Sequence, residues 1–467
     1  MKTNIYAITD SHQESRNLSR LLSGIYNFEK NSNKPFLILD AGDLFKGIYD
    51  KDLSVNAYLT LKKLLPQAEI IITLGNNDFG FKKSDFEYLK DTVKKFKDAG
   101  IKVICANLSP QLVPEYELLN INGERILITG FCLNNSCARK FGYELNLPEE
   151  SFEKLLNNMQ ESFDKIIVLN HNWYTYSKNL KDKFPQIDLI IGGHEHSPIP
   201  PDFERNIFYP YSFARSMYKI TSEKTEEIPV ETLQFIPELE TPITKYEQKT
   251  KLKSPLIKRV LNLTKKYSDS CPLGTFISDN MQKAGNTDIA FHSTGFTMYP
   301  LRLEDSSVIT KYDMERVICA ATNIEKIEIT AKDLKKVFEN AFSQRMLKDR
   351  GNSKFLQCSQ NVTIKGVGIK KDNSYHILQI KINGEELLDK DQNLINPNKT
   401  YTCTIDHYIG TGEQGFEVLK NLPKTKVLKN GKEIVLNELF YEALKEAEQE
   451  FTGDSEYPCF KIIDIEE

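Results

Sequence analysis

The chain of 467 residues carries 61 basic and 65 acidic side chains. This near balance gives no electrostatic reason to expect nucleic acid or a charged membrane surface as a partner. No apolar run approaches the roughly 20 residues that span a bilayer, and the length suits two domains better than one.

The N-terminus and the cysteines favour a cytoplasmic protein. The opening residues, MKTNIYAITD, lack the long apolar stretch and the small-residue cleavage site of a signal peptide. The eight cysteines are scattered and form no CxxC pair, which indicates reduced thiols and neither a disulfide framework nor a zinc site. A secreted protein whose leader has been removed is the alternative.

The first half of the chain predicts alternating strands and helices. Short runs rich in Ile, Leu and Val show almost no alternation, which is typical of strands buried on both faces. A capping box of Ser84 and Glu87 begins one intervening helix, and Gly100 ends it. The repeated order of strand and helix predicts an α/β layered domain. The predicted strands are Ile5–Ile8, Phe36–Leu39, Ile70–Leu74, Val103–Cys105, Ile166–Leu169 and Leu189–Ile191.

The pattern changes near Thr221. The next thirty residues are polar and charged and contain three prolines, which predicts edge strands followed by a linker. We therefore expect a first domain over residues 1–222, edge strands and a linker over 223–253, and a second domain over 254–467. The elements predicted for the second domain are helices over Ser254–Tyr267 and Ala331–Gln344 and strands over Val362–Val367, Ile377–Ile382 and Tyr401–Ile405.

Side chains that can bind a metal follow five of the predicted strands. In open α/β sheets, ligands bind outside the carboxyl ends of the strands, so we expect these side chains to converge at one edge. Four of the seven histidines of the chain fall at these positions, which makes coincidence a poor explanation. The candidate ligands are Asp10 and His12, Asp43, Asn76, His171, and His194 and His196.

The types of donor atom indicate the kind of metal. Carboxylate, imidazole and amide oxygen together suit borderline divalent ions such as Mn, Fe, Co, Ni or Zn. The ligands are too many for one tetrahedral ion and suit two ions bridged by a carboxylate and a hydroxide. Asn76 offers a neutral oxygen, which completes a ligand shell without adding charge that would repel a phosphate.

The order D-x-H, G-D, G-N-x-D, a lone H and then G-G-H-x-H resembles the calcineurin-like metallophosphoesterase superfamily over roughly residues 3–222. The resemblance implies a four-layer αββα sandwich and two metal ions that share one carboxylate. It assigns one ion to Asp10, His12, Asp43 and His196, and the other to Asp43, Asn76, His171 and His194.

The second half resembles a divergent 5′-nucleotidase C-terminal domain, which in that family binds the nucleoside. The resemblance implies a smaller α/β domain that holds the substrate. The stretches that carry it are DIAFHSTGF (Asp288–Phe296), ITKYDMERVICAATNIEKIEITAKDLKKVFENA (Ile309–Ala341), FLQCS (Phe355–Ser359) and YTCTIDHYIGTGEQGF (Tyr401–Phe416).

The loop GNNDFG departs from the family pattern GNHEFD. Asn77 takes the place of a histidine that helps to stabilise the phosphoryl transition state, and Gly80 takes the place of its aspartate partner. We expect Asn77 to donate a hydrogen bond near the leaving oxygen, and slower or different chemistry as a result. Asp78 is expected either to orient a metal ligand by a hydrogen bond or to cap the following turn.

The expected nucleoside pocket departs from the family as well. His292 lies where the family commonly has NSGGIR, and Arg302 is the candidate substitute for the missing arginine. Ala321 replaces one of two rings that stack on the base, while Phe416 keeps the other. His407 either lines the cleft or packs beside it. We predict substrate contacts from His292, Arg302, His407 and Phe416; the alternatives are a core role for Phe416 and a loop hydrogen bond for His292.

These features predict an enzyme, a dinuclear metal-dependent phosphoester hydrolase of the 5′-nucleotidase type. A metal-bound hydroxide would attack the phosphorus of a nucleotide or a related small phosphoester. One alternative is a phosphodiesterase or phosphatase that acts on a non-nucleotide substrate, because the residues expected to bind the base are the ones that depart from the family pattern. The other is a non-catalytic homologue that binds metal and ligand.

Overall fold

The structure is a computed structural model that separates into two compact units, Met1–Lys249 and Thr250–Glu467. Among the residues that it describes, no helix combines the length and the apolar character needed to cross a bilayer. The described residues are 2–80, 82–134, 136–196, 198–266, 269–297, 301, 306–318, 322–343, 355–369, 374–450 and 455–465.

The first unit alternates strands and helices along the chain. Its strands are β1 (Ile5–Ile8), β2 (Phe36–Asp40), β3 (Ala68–Thr73), β4 (Lys102–Ile104), β5 (Leu108–Ser109), β6 (Tyr116–Ile121), β7 (Glu124–Cys132), β8 (Glu144–Leu145), β9 (Lys165–His171), β10 (Leu189–Gly193), β11 (Ile207–Phe208), β12 (Ser216–Ile220) and β13 (Thr225–Pro229). Its helices are α1 (Ser15–Glu29), α2 (Lys51–Leu64), α3 (Lys83–Asp98), α4 (Ser136–Lys140), α5 (Pro148–Asn158), α6 (Tyr174–Lys183) and α7 (Pro237–Thr250).

These elements form two packed sheets with helices on both outer sides. The larger sheet has the order β13-β12-β1-β2-β3-β4 and the other has the order β11-β10-β9-β7-β6. Leu39 and Ile71 of the larger sheet share a buried cluster with Ile128 and Leu169 of the other. Helices α1 to α3 cover the outer face of the larger sheet, and α5 and α6 cover that of the other. The predicted αββα sandwich is thereby confirmed.

The parallel pairing of the central strands explains why their apolar runs do not alternate. In β2, Leu37 and Leu39 face the other sheet while Phe36 and Ile38 face the helices, so both faces are buried. Strands β1, β2 and β3 pair in parallel, as do β9 and β10. Their carboxyl ends therefore deliver the residues that follow them to common edges of the sheets.

The predicted capping box of α3 is wrong. The helix begins at Lys83, two residues before Asp85, which would be its first residue if Ser84 were the N-cap. The Lys82 backbone N–H donates to Asp85 Oδ2 over 3.2 Å, so Asp85 has the role at the third helical position that was predicted for Glu87. Gly100, which follows the end of the helix, has a φ of +76°.

The second unit is also α/β, as predicted. Its strands are β14 (Pro255–Lys258), β15 (Leu261–Asn262), β16 (Ile289–Ser293), β17 (Val308–Thr310), β18 (Ile324–Thr330), β19 (Leu356–Cys358), β20 (Val362–Ile369), β21 (Ser374–Ile382), β22 (Glu385–Glu386), β23 (Thr400–Asp406), β24 (Lys424–Lys426), β25 (Leu428–Lys429), β26 (Lys432–Glu433), β27 (Ser455–Glu456) and β28 (Lys461–Ile465). Its helices are α8 (Pro272–Gly285), α9 (Lys311–Val317), α10 (Ala331–Phe342), α11 (His407–Gly410), α12 (Glu417–Lys420) and α13 (Leu436–Glu450).

Two sheets organise this second unit. One has the order β19-β16-β23-β18-β24 and the other β22-β21-β20-β28. Apolar side chains of α10, including Leu334 and Phe338, lie in one buried cluster with Phe291 of the first sheet and Ile364 of the second. Helices α8 and α13 contribute Phe276 and Phe440 to a separate buried cluster.

Two secondary-structure predictions around the unit boundary are wrong. The helix predicted over Ser254–Tyr267 is replaced by β14 and β15, because β14 pairs with β17 and this pairing outweighs the local helical spacing; Tyr267 lies outside the described residues. The predicted linker contains helix α7, whose Leu239, Ile243 and Glu247 form a buried stripe at helical spacing.

Candidate metal centre

The predicted metal ligands all come from the ends of parallel strands or from the loops that follow them. Asp10 and His12 follow β1, Asp43 follows β2, and Asn76 follows β3. The other three histidines come from the carboxyl ends of β9 and β10, His171 at the end of β9 and His194 and His196 just after β10. The structure brings them into two groups, within each of which the ligand atoms lie within 4.8 Å of one another. The groups are Asp10, His12 and His196, and Asp43, His171 and His194.

The loops hold these ligands in an unusual backbone conformation. Asp10, His12, Asp43 and His194 have φ values of +45°, +44°, +58° and +78°. Residues other than glycine are uncommon in this left-handed region and persist there only where the surroundings fix them. The Asp10 N–H donates to the Gly42 carbonyl over 2.9 Å, and the His12 N–H donates to the Asp43 carbonyl over 3.0 Å. Hydrogen bonds between loops therefore set the positions of the ligands.

In the first group two imidazole nitrogens face each other. His12 Nε2 and His196 Nε2 lie 3.0 Å apart, and each lies 3.7 Å from Asp10 Oδ1. Ligand atoms placed about 2.0–2.2 Å from one ion lie roughly 3–4 Å from each other. The three atoms therefore have the spacing of ligands around a common cation.

In the second group His171 is oriented by the backbone. Its Nδ1 lies 2.8 Å from the Ala41 carbonyl, which only accepts, so Nδ1 carries the proton. Its Nε2 is therefore the nitrogen that faces the other candidate ligands, 3.2 Å from Asp43 Oδ2 and 3.1 Å from Asn76 Oδ1. One nitrogen and two oxygens converge there, which is a donor set for a cation.

Asp43 lies between the two groups. Its Oδ2 is 3.5 Å from His12 Nε2 of the first group and 3.2 Å from His171 Nε2 of the second. The close approach of the neighbouring loop depends on Gly75, because a Cβ there would lie 2.2 Å from Asp43 Oδ1. The shared position of Oδ2 is the one that a bridging carboxylate requires.

The pKa values of the site reflect both burial and the mutual interaction of its carboxylates and imidazoles. Burial alone would raise the pKa of Asp10, but hydrogen bonds from His12 and His196 lower it well below its usual range. Burial lowers the pKa of His194 to about 3. Burial would also lower the pKa of His171, but the charge of Asp43 raises it to about 10. A bound cation would replace the proton that His171 otherwise needs between two oxygens.

One buried imidazole nitrogen supports the same assignment. His194 Nε2 has no hydrogen-bond partner among the described residues. An unpaired buried polar atom costs free energy, and an imidazole nitrogen is a strong ligand for a borderline divalent ion. The residues present therefore fit two divalent cations.

Asn77 and Asp78 both serve Asp43 in this structure. Asn77 Nδ2 donates to Asp43 Oδ2 over 2.6 Å, so the amide faces a predicted ligand and not an open position near a leaving group. The Asp78 carboxylate accepts the backbone N–H groups of Asp43, Leu44, Phe45 and Gly75 at 2.8–3.1 Å. Of the two roles expected for Asp78, the hydrogen bonds correspond to orienting a metal ligand.

Three neighbours of the ligands escaped the sequence analysis. Lys46 Nζ donates to Asn77 Oδ1 over 3.0 Å. Its position three residues after Asp43 is the sequence feature that could have identified it. The Trp173 ring lies 4.2 Å from the His194 ring, and it is the single tryptophan of the chain. The Phe213 ring lies 5.2 Å from that of His12; it is remote from every motif, so no sequence signal marks it.

The structure does not support substrate contacts for two candidates in the second unit. His292 is fully buried in β16 and lies 3.1 Å from Ser278 Oγ through Nδ1, so it occupies neither a loop nor a surface. Phe416 is 1% exposed and belongs to the core cluster that contains Phe338. Both side chains have little accessible surface for a ligand contact, and the position of Phe416 in this cluster favours the core alternative.

The remaining candidates of the second unit are His407 and Arg302. His407 is 57% exposed at the start of α11, and its Nδ1 lies 2.9 Å from Glu325 Oε1. Its predicted substrate contact stays a prediction. Arg302 and Ala321 lie outside the described residues.

Comparisons with protein families match both halves of the chain. The model for calcineurin-like phosphoesterases matches residues 3–198, and the model for the 5′-nucleotidase C-terminal domain matches residues 248–421. A 5′-nucleotidase from Diplobatis ommata is 22% identical over 83% of this chain and 76% of its own length. The trifunctional nucleotide phosphoesterase YfkN of Bacillus subtilis is 23% identical over 88% of this chain, which spans about a third (32%) of that protein.

Solved structures show the same fold. A 5′-nucleotidase precursor from Thermus thermophilus superposes with a TM-score of 0.77 at 18% identity and covers 100% of both chains. The sulfate thiohydrolase SoxB from the same species gives a TM-score of 0.72 at 14% identity, over 97% of this chain and 83% of its own. The two family matches together account for most of the chain, which therefore belongs to the calcineurin-like phosphoesterases with a 5′-nucleotidase C-terminal domain, a family of metal-dependent phosphoester hydrolases.

Proposed function

We propose that this protein is a dinuclear hydrolase of the 5′-nucleotidase type that acts on a nucleotide or a related small phosphoester. The observation that carries the proposal is the position of Asp43 Oδ2, which lies within 3.5 Å of a histidine from each ligand group. Asp10, His12, Asp43 and His196 would hold one ion, and Asp43, Asn76, His171 and His194 the other.

The two ions would supply Lewis acidity to the phosphoryl group and lower the pKa of a water molecule. The protein would supply the fixed geometry. Ala41 holds the ring of His171, and Asp78 holds the loop of Asp43 through backbone hydrogen bonds. Because these supports are buried and in place before the substrate arrives, the site needs little reorganisation during the reaction.

A substrate screen with metal-depleted and reloaded protein tests the proposal. Hydrolysis of p-nitrophenyl phosphate, its bis-ester and a panel of nucleoside monophosphates is measured with Mn²⁺, Co²⁺ and Zn²⁺. We expect turnover that requires added metal, with two ions per chain at saturation. Asp43→Asn is the matched control, because it keeps the size of the side chain and removes its charge. Turnover by the metal-depleted protein, or saturation by a single ion, would contradict the dinuclear assignment.

A second candidate is a phosphatase or phosphodiesterase for a non-nucleotide substrate. The observation that favours it is the burial of Phe416 and His292, which leaves little accessible surface for two of the four predicted contacts to a nucleoside. The same screen separates the two candidates. A nucleoside monophosphate that outperforms p-nitrophenyl phosphate in kcat/KM supports the nucleotidase, whereas equal or lower values across the whole panel support the alternative.

A further inference from the structure

Lys46 lies in the same loop as Asp43, three residues further along the chain. Its Nζ donates to Asn77 Oδ1 over 3.0 Å. Asn77 in turn donates to both carboxylate oxygens of Asp43, from its backbone N over 2.7 Å and from Nδ2 over 2.6 Å. One side chain therefore separates the ammonium of Lys46 from the shared ligand of the metal centre.

The direction of these hydrogen bonds is unambiguous. An ammonium only donates and a carboxylate only accepts, so the amide oxygen of Asn77 faces Lys46 and its nitrogen faces Asp43. Asn77 is neutral, so this contact itself adds no counter-charge to the ammonium of Lys46. The ammonium lies one side chain away from the predicted metal site.

The backbone around Lys46 is fixed as well. Lys46 has a φ of +71°, a left-handed conformation that is uncommon for residues other than glycine. On one side Asp78 binds the N–H of Phe45, and on the other Gln13 Oε1 accepts the N–H of Gly47 over 2.8 Å. A Cβ at Gly47 would lie 1.6 Å from the His12 carbonyl oxygen, so the loop is packed against the first ligand loop. The surroundings thus fix the backbone from which the Lys46 side chain extends.

We propose that Lys46 contacts the phosphoryl group of the substrate and makes phosphomonoesters better substrates than phosphodiesters. The inference rests on the proposed function, since it concerns the same site. A monoester carries close to two negative charges near neutral pH, because its second pKa is about 6, whereas a diester carries one. The attraction to a cation scales with this charge, and a lysine ammonium binds phosphate as a point charge.

Three variants test this role in the full chain. Lys46→Met removes the charge and keeps much of the length, and Lys46→Arg keeps the charge. Lys51→Met is the matched control, because Lys51 lies five residues further on and pairs at 3.2 Å with Asp85, which is outside the candidate ligand set. Each variant is loaded with Mn²⁺ and its metal content is measured. Calorimetry then gives the Kd for inorganic phosphate, and kinetics give kcat/KM for p-nitrophenyl phosphate and its bis-ester.

We expect Lys46→Met to retain two ions and to bind phosphate about tenfold more weakly. The ratio of kcat/KM for the monoester to that for the diester should fall by a similar factor, through the monoester. Lys46→Arg should keep most of the selectivity, and Lys51→Met should match the unaltered protein. The calorimetric result does not depend on turnover, so it reports on Lys46 even where hydrolysis is slow.

The contradicting outcomes are separable. Unchanged phosphate affinity, or an equal loss on both esters, in Lys46→Met would overturn the role of Lys46 and leave the proposed hydrolase standing. Loss of metal from Lys46→Met would also overturn it, because it would assign Lys46 to the support of Asp43. Failure of the metal-loaded, unaltered protein to cleave any phosphoester would instead overturn the proposed function.

Discussion

Asn77 and Asp43 are joined by two hydrogen bonds, one from the backbone N–H and one from the side-chain amide of Asn77. Each carboxylate oxygen of Asp43 accepts one of them. The sequence analysis expected Asn77 near the leaving oxygen of the substrate. In the structure the amide nitrogen is directed at the carboxylate, so Asn77 contacts Asp43, the shared ligand of the proposed metal centre.

Replacing Asn77 by alanine distinguishes these two roles. Loss of a hydrogen bond to a metal ligand typically weakens metal affinity by about 10–100-fold, and we expect Asn77→Ala to fall in this range. Competition with a chelating dye measures the affinity. A donor to the leaving group would behave differently: metal affinity would be unchanged, and only substrates with poor leaving groups would lose rate.

Asp43→Asn should cost both ions and activity together. Asp43 Oδ2 lies within reach of both ligand groups, and an amide at this position lacks the charge that two cations need. Elemental analysis of the purified variant gives the number of ions per chain. Two ions per chain together with normal turnover would show that Asp43 is not the shared ligand.

Metal binding should be visible in the fluorescence of Trp173. This residue is the single tryptophan of the chain, and its ring lies 4.2 Å from that of His194. A paramagnetic ion such as Co²⁺ held by His194 would quench the emission of so close an indole. Titration of the metal-depleted protein should therefore lower the emission and saturate. The same titration of His194→Ala should need much higher Co²⁺, and identical curves would remove His194 from the ligand set.

Restoring the dyad of the family with Asn77→His and Gly80→Asp should destabilise the protein. Gly80 has a φ of +68°, and a Cβ there would lie 2.2 Å from the Cβ of Asp85. A left-handed non-glycine residue costs about 1–3 kcal/mol, and the steric conflict adds to this. Thermal denaturation of the double variant and of Asn77→His alone measures the contribution of position 80. Equal melting temperatures would show that the loop relaxes without cost.

Phe416→Ala should reduce stability without changing substrate preference. The ring is buried in a cluster with Phe338 and Ile405, and removal of a buried phenylalanine side chain typically costs about 3–5 kcal/mol. Urea denaturation measures the loss. Michaelis constants for a nucleotide and for p-nitrophenyl phosphate provide the check, since a rise confined to the nucleotide would restore the stacking role that the structure argues against.

The sequence by itself determined those elements whose pattern of apolar residues predicts their structure. Continuous apolar runs predicted the central strands, because burial on both faces removes alternation. The candidate ligands could then be identified, because they come directly after those strands in the sequence. The helix predicted over Ser254–Tyr267 failed, since its apolar spacing is local whereas the pairing of β14 with β17 joins segments about fifty residues apart.

Only the tertiary structure decided how the side chains around the ligands are used. Asn77 could face a substrate or a neighbouring carboxylate, and Phe416 could stack on a base or fill a core; a residue type permits both. The hydrogen bonds of Asn77 to Asp43 and the cluster around Phe416 depend on contacts between elements remote in sequence. Lys46 and Trp173 could likewise be placed beside the candidate ligands only from the structure. Their contacts with Asn77 and His194 join residues that are distant or unmarked in the sequence.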